Sequence, residues 1–126
     1  MGSGAMTEPR ILVVDDHSGF RATARRLLER DGWTVVGEAA DGRSGLAAVE
    51  ALAPDVVLLD IGLPDVDGFE VAERLAAAAS APVVVLISSR DPETYRERVR
   101  SSPAAAFVAK HEIDGAMLRA IVGSAT

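Results

Sequence analysis

The chain is 126 residues long with no cysteine, and its 13 lysines and arginines against 19 aspartates and glutamates leave a net charge of −6. That length makes one domain with a core of its own. The missing cysteine excludes a disulfide frame and a thiolate-held metal and suits a reducing cytoplasm, and the acidic balance opposes binding of a nucleic-acid backbone by this domain. No apolar run approaches the roughly 18 residues that a membrane-spanning helix needs, and no signal-peptide pattern opens the sequence. Residues 1–6, Met-Gly-Ser-Gly-Ala-Met, read as a vector-derived scar, and residues 7–126 as a single domain.

Taken in order, apolar runs rich in β-branched residues alternate with segments of helical period, the pattern of βαβ units and a parallel sheet. Strands are expected at about 10–15, 33–38, 55–60, 82–88 and 105–109. After the first, Phe20, Ala24, Leu27 and Leu28 recur at helical spacing, with Arg21, Arg25, Arg26 and Arg30 on other faces, where they read as a solvated surface. Gly32 stops this helix, and 33–38 alternates enough to suit a sheet edge. Asp41-Gly42 opens a second helix carrying Leu46, Val49 and Leu52, closed by Ala53-Pro54. Gly68 to Leu75 begins a third. Val83 to Ile87 is wholly apolar and reads as a central strand. Asp91-Pro92, an N-cap and a first-turn proline, starts a fourth helix with only Tyr95 and Val99 as strong apolar residues. A last helix is expected from about Ile113 to Val122, with Met117/Ile121 and Leu118/Val122 pairs.

The strand ends carry the chemistry. Ile11-Leu12-Val13-Val14 runs into Asp15-Asp16, and Val56-Val57-Leu58-Leu59 runs into Asp60 before a Leu-Pro turn. Ligands of open α/β sheets sit at the carboxyl ends of strands, and three carboxylates there suit a hard divalent cation such as Mg2+. Ser88 and Lys110 end the fourth and fifth strands. A metal-binding acidic pair, a carboxylate nucleophile, a hydroxyl donor and a cation are the parts of a phosphoryl-transfer site, where catalysis is mostly positioning and charge neutralisation. His17 and His111, without a third histidine or a cysteine, read as polar surface residues.

In this constellation, and over Arg10 to Val122, the chain resembles the receiver domain of bacterial two-component response regulators, in particular the branch with helix-turn-helix output domains. The resemblance implies a flavodoxin-like, three-layer (βα)5 fold with a parallel five-stranded sheet in order 2-1-3-4-5. It implies that Asp15 and Asp16 are the acidic pair, Asp60 the phosphoacceptor, Ser88 and Lys110 its catalytic neighbours, and Ser88 with Phe107 the switch pair. The Leu-Pro-Asp-x-Asp-Gly turn at 63–68 is similar to the family's. Mg2+ is then expected on the carboxylates of Asp16 and Asp60 and the carbonyl of Gly62, with Asp15 behind them. The implied role is cytoplasmic signalling. A histidine kinase phosphorylates the domain, which is no separate enzyme but catalyses its own phosphotransfer and dephosphorylation. Output passes through the fourth helix, fifth strand and fifth helix to a second copy or to an output domain beyond Thr126.

Four positions depart from the family pattern. His111 stands where a proline commonly follows the lysine, Ala106 where a glycine precedes the aromatic, and Gly62 and Arg90 occupy positions that modulate phosphoryl lifetime. Two other readings compete: a receiver-like binding module that is no longer phosphorylated, and an aspartate-nucleophile phosphatase. The second wants an acid two residues after the nucleophile, where Gly62 stands. A flavin site is disfavoured because no phosphate-cradling loop follows the first strand.

Overall fold

The computed structural model describes residues 9–90 and 92–125. Five parallel strands, β1 (Arg10–Val14), β2 (Thr34–Ala39), β3 (Val56–Asp60), β4 (Val83–Ser88) and β5 (Ala106–Ala109), form one sheet in the order β2-β1-β3-β4-β5. Between and after them lie α1 (Ser18–Arg30), α2 (Gly42–Leu52), α3 (Gly68–Ala76), α4 (Arg96–Ser101) and α5 (Gly115–Ala125). This is the parallel sheet expected from the alternation of elements, in the flavodoxin-like order that the family resemblance implies.

The sheet is buried on both sides, which is why its central strands are continuously apolar rather than alternating. Ile11, Val13, Val56, Leu58, Val85 and Ile87 pack with Ala24 and Leu28 of α1 and Leu118 of α5. The intervening Leu12, Val14, Val57, Leu59, Val84 and Leu86 pack with Phe69, Val71, Ala72 and Leu75 of α3. Three layers follow from strands whose alternate side chains point to opposite faces. The edge strand β2 is the irregular one. Its register with β1 slips between Ile11 and Leu12, so that Ile11 pairs with Val35 and Leu12 with Gly37.

The helix boundaries have local causes. Asp41 caps α2, accepting from Ser44 N at 2.8 Å while Ser44 Oγ accepts from Asp41 N, a reciprocal capping box. Gly32 takes φ +92 just after α1, where a side chain would be disfavoured. The short fourth helix differs from expectation. Residues Pro92–Tyr95 form a 3-10 turn, the α-helix begins only at Arg96, and no residue of α4 is buried. Its expected cap, Asp91, lies outside the described residues. Lys110–Glu112 is likewise a 3-10 turn, which delays α5 to Gly115. All described peptide bonds are trans, including Lys110–His111. No helix among the described residues is long and apolar enough to cross a membrane.

Candidate functional site

In the order 2-1-3 the chain leaves β1 toward one side of the sheet and returns on the other, opening a crevice at the carboxyl ends of β1 and β3. Asp15 and Asp16 follow β1, and Asp60 ends β3. Asp60 is in register with Ile87, so Ser88 ends the neighbouring strand one residue further on, and Ser88 is paired with Ala109, which precedes Lys110. Sheet register thus brings all five polar residues to one edge.

Burial sorts their roles. Asp15 is fully buried, Asp60 is 4% exposed and Ser88 is 4% exposed, whereas Asp16 lies at the surface. Lys110 Nζ lies 2.6 Å from Asp15 Oδ2 and 3.5 Å from Asp60 Oδ2, and 5.0 Å from the centre of the Phe20 ring. Among the described residues the ion pair with Lys110 is what the buried Asp15 Oδ2 has in place of a further hydrogen-bond donor. Burial pushes the Asp60 carboxyl above the usual carboxylate range, and the negative charges of Asp15 and Asp16 add to this. The Gly62 N–H and the Lys110 ammonium oppose it.

Crowded, incompletely neutralised carboxylates are what a divalent cation satisfies, and one ligand atom from each of Asp15, Asp16, His17 and Asp60 can be chosen so that all lie within 4.8 Å of one another. The donor set therefore fits a divalent ion. Asp15, Asp16 and Asp60 are the residues expected in this group. His17, read from the sequence as a surface residue, joins it, and the only signal for that was its place directly after the acidic pair.

The loop after β3 is built around Asp60. Gly62 N donates to Asp60 Oδ1 at 3.2 Å. A Cβ at Gly62 would lie 3.8 Å from both Asp60 carboxylate oxygens, so this position sits beside that carboxylate. Gly68 lets α3 start against the strand end, since a Cβ there would fall 2.5 Å from the Asp60 carbonyl oxygen. Asp65 ties the loop to α2 by accepting from Gly42 N at 2.7 Å and Arg43 N at 3.0 Å. On the neighbouring strand Ser88 Oγ accepts from Arg90 N at 3.0 Å, and the Arg90 side chain faces solvent.

Two surroundings of the site were not legible. Arg21, expected on a solvated face, is 18% exposed, donates to the Asp15 carbonyl at 2.7 Å and pairs with Glu38. Arg25 pairs with Glu38 as well, at 2.7 Å. Phe107, expected as a core aromatic with a switching role, is half-buried and stacks on Tyr95 with centroids 5.7 Å apart. Phe69 completes a three-ring cluster, and Arg98 covers its face at 4.2 Å while pairing with Asp67 at 2.8 Å.

Comparison with known proteins agrees with this geometry. Residues 11–122 match the family model described as the response regulator receiver domain. The transcription regulator BvgA of Bordetella pertussis is 38% identical over 103 residues, which cover 82% of this chain and 49% of BvgA. A protein-glutamate methylesterase/protein-glutamine glutaminase of Anaeromyxobacter dehalogenans is 45% identical over 107 residues, 84% of this chain and 30% of that protein. The chain thus spans about half of the one relative and less than a third of the other. The signal receiver domain of NarL from Mycobacterium tuberculosis superposes with a TM-score of 0.80 at 34% identity, covering 94% of this chain and 96% of that one. With the sheet order, the acidic edge and the family match in agreement, the chain belongs to the response regulator receiver domain family.

Proposed function

We propose that Asp60 accepts a phosphoryl group from the phosphohistidine of a sensor kinase, or from a small phosphodonor, and that the resulting change controls an output partner. The observation that carries this reading is the Lys110 ammonium beside both Asp15 and Asp60 at the edge where Ser88 also ends its strand. A carboxylate oxygen of Asp60 attacks phosphorus, the donor's P–N bond breaks, and its electron pair leaves on the imidazole nitrogen, giving an acyl phosphate. Ser88 Oγ accepts from Arg90 N, which leaves its own O–H able to donate to a phosphoryl oxygen. Lys110, held close by Asp15, supplies the positive charge. Asp15, Asp16 and Asp60 with the Gly62 carbonyl would hold Mg2+, which when bound neutralises phosphoryl oxygens. In a separate dephosphorylation step water attacks phosphorus, the P–O bond to the Asp60 carboxylate oxygen breaks with its electron pair leaving on that oxygen, and inorganic phosphate and the Asp60 carboxylate are released.

The same reading supplies an output. Once Ser88 is drawn to the phosphoryl group it vacates space toward which Phe107 can turn, leaving its stack on Tyr95. Because no residue of α4 is buried, two arrangements of that helix lie close in free energy. The surface of α4, β5 and α5 then docks a second copy or an output domain in the cytoplasm. Its mixed charges, Arg96, Arg98 and Arg100 beside Glu93, Glu97, Glu112 and Asp114, suit protein contact rather than a phosphate backbone. Intact mass after incubation with a small phosphodonor tests the reading. The wild type should gain one phosphoryl group only with Mg2+, and Asp60→Asn should gain none. No gain by the wild type in Mg2+, with donor still present, would refute it.

A further inference from the structure

We infer that His17 makes the acidic edge a mixed oxygen-and-nitrogen site, which takes divalent transition ions such as Ni2+ through the imidazole while Mg2+ uses oxygens alone. The inference rests on the reading of this edge as a divalent-cation site. His17 is the N-cap of α1, with extended backbone (φ −92, ψ 109), but its side chain makes no capping hydrogen bond. Its main-chain N–H instead donates to Asp15 Oδ1 at 2.8 Å, a tight local turn that fixes where the ring can go. Nδ1 then lies 3.1 Å from Asp15 Oδ1 and 3.1 Å from Asp16 Oδ1.

That spacing suits coordination. Two donor atoms, each about 2.1 Å from one ion and at right angles to each other, are about 3.0 Å apart. Asp16 Oδ1 and His17 Nδ1 therefore already have the separation of adjacent ligands, and ligand atoms of Asp15 and Asp60 lie within 4.8 Å of them. Mg2+ is a hard ion that keeps oxygen ligands and bound water, whereas imidazole suits Ni2+ and Zn2+, which stand above Mn2+ and Fe2+ in affinity for such sites. An ion held through His17 occupies Asp16 and competes with Mg2+ for the phosphoacceptor site. The domain then responds to the transition-ion content of its surroundings as well as to its kinase.

Calorimetric titration of the whole chain with MgCl2 and with NiCl2, at one fixed mildly alkaline pH, tests this. The His17 side chain is 69% exposed, so His17→Ala should fold. It should lose at least about tenfold in Ni2+ affinity, the scale on which a metal-site group matters, while its Mg2+ affinity stays within about twofold. His111→Ala should change neither. With Cu2+ as a spectroscopic probe, nitrogen hyperfine splitting in the wild type should vanish in His17→Ala. An unchanged Ni2+ affinity, or a parallel loss for both ions, overturns the inference while leaving the Mg2+ site intact. If the wild type binds neither ion, the reading beneath it fails too.

Discussion

Lys110 Nζ is closer to Asp15 Oδ2, at 2.6 Å, than to Asp60 Oδ2, at 3.5 Å, so the ammonium is committed first to the carboxylate that is fully buried. A buried anion without a partner is costly, and this lysine, 13% exposed, is the cation that the fold supplies. The arrangement keeps a positive charge 3.5 Å from the carboxylate proposed to accept the phosphoryl group.

Replacing that lysine by methionine keeps the stem near Phe20 and removes the charge. Lys110→Met should lose about 2 kcal/mol of stability without Mg2+, below the usual loss for a broken buried pair because Lys110 is partly exposed and Asp15 keeps the His17 N–H. Mg2+ should restore more stability to the variant than to the wild type, since a cation then replaces a cation. Urea unfolding with and without Mg2+ measures both, and a variant as stable as the wild type in Mg2+-free buffer contradicts the role given to Asp15.

Position 62 should set phosphoryl lifetime together with Arg90. A side chain at 62 starts 3.8 Å from both Asp60 oxygens, so Gly62→Asn places polar atoms against the acyl phosphate, whereas Arg90→Ala removes a long cation from the mouth of the site. Phosphate-release assays should give a decay rate different from wild type in at least one of the two. Wild-type decay in both removes these positions from the account.

Much of this was open to reading from the sequence, because burial on both faces of a parallel sheet forces continuous apolar strands and strand ends gather the site residues. The sheet order and the gathering of Asp15, Asp16, Asp60, Ser88 and Lys110 at one edge follow from that pattern together with the family resemblance. What escaped depends on contacts that no local pattern encodes. Arg98 meets Asp67 across 31 positions of sequence, Asp65 meets Gly42 across 23, and Arg21 turns from solvent to the Asp15 carbonyl. The 3-10 turn at 92–95 escaped too, since the Asp91-Pro92 start signal predicts a helix from there, yet the Tyr95 ring is used sideways, against Phe69 and Phe107.

Arg98 holds α4 through a pair whose side chains are 53% and 42% exposed and through the face of Phe69. Exposed ion pairs contribute about 0–1 kcal/mol and a cation over a ring about 0.5–1 kcal/mol, so Arg98→Ala should leave global stability nearly unchanged. Local opening should respond more. Amide exchange at residues 93–101 should accelerate several-fold while β1 and β3 keep their protection, and uniform acceleration, or none, argues against a local latch.

Asp65 gives a pH-dependent test of the loop that carries Gly62. The N–H of Gly42, then those of Arg43 and Val66, hold its exposed carboxyl below the usual carboxylate range. A lowered folded-state pKa contributes stability that is present above the unfolded value and is lost as pH falls through the folded one. Asp65→Asn should therefore melt lower than wild type at neutral pH, and the gap should close in acid. A gap that is constant with pH would show that the charge is not what ties this loop to α2.

The central claim is that one particular carboxylate carries the phosphoryl group, and chemical localisation tests it most directly. Borohydride reduces an aspartyl phosphate to homoserine, so the chain, treated with a small phosphodonor and Mg2+, reduced and digested, should show homoserine at position 60 and aspartate at 15 and 16. Homoserine at 15 or 16, or phosphate recovered on His17 or His111 with position 60 unmodified, would contradict the account.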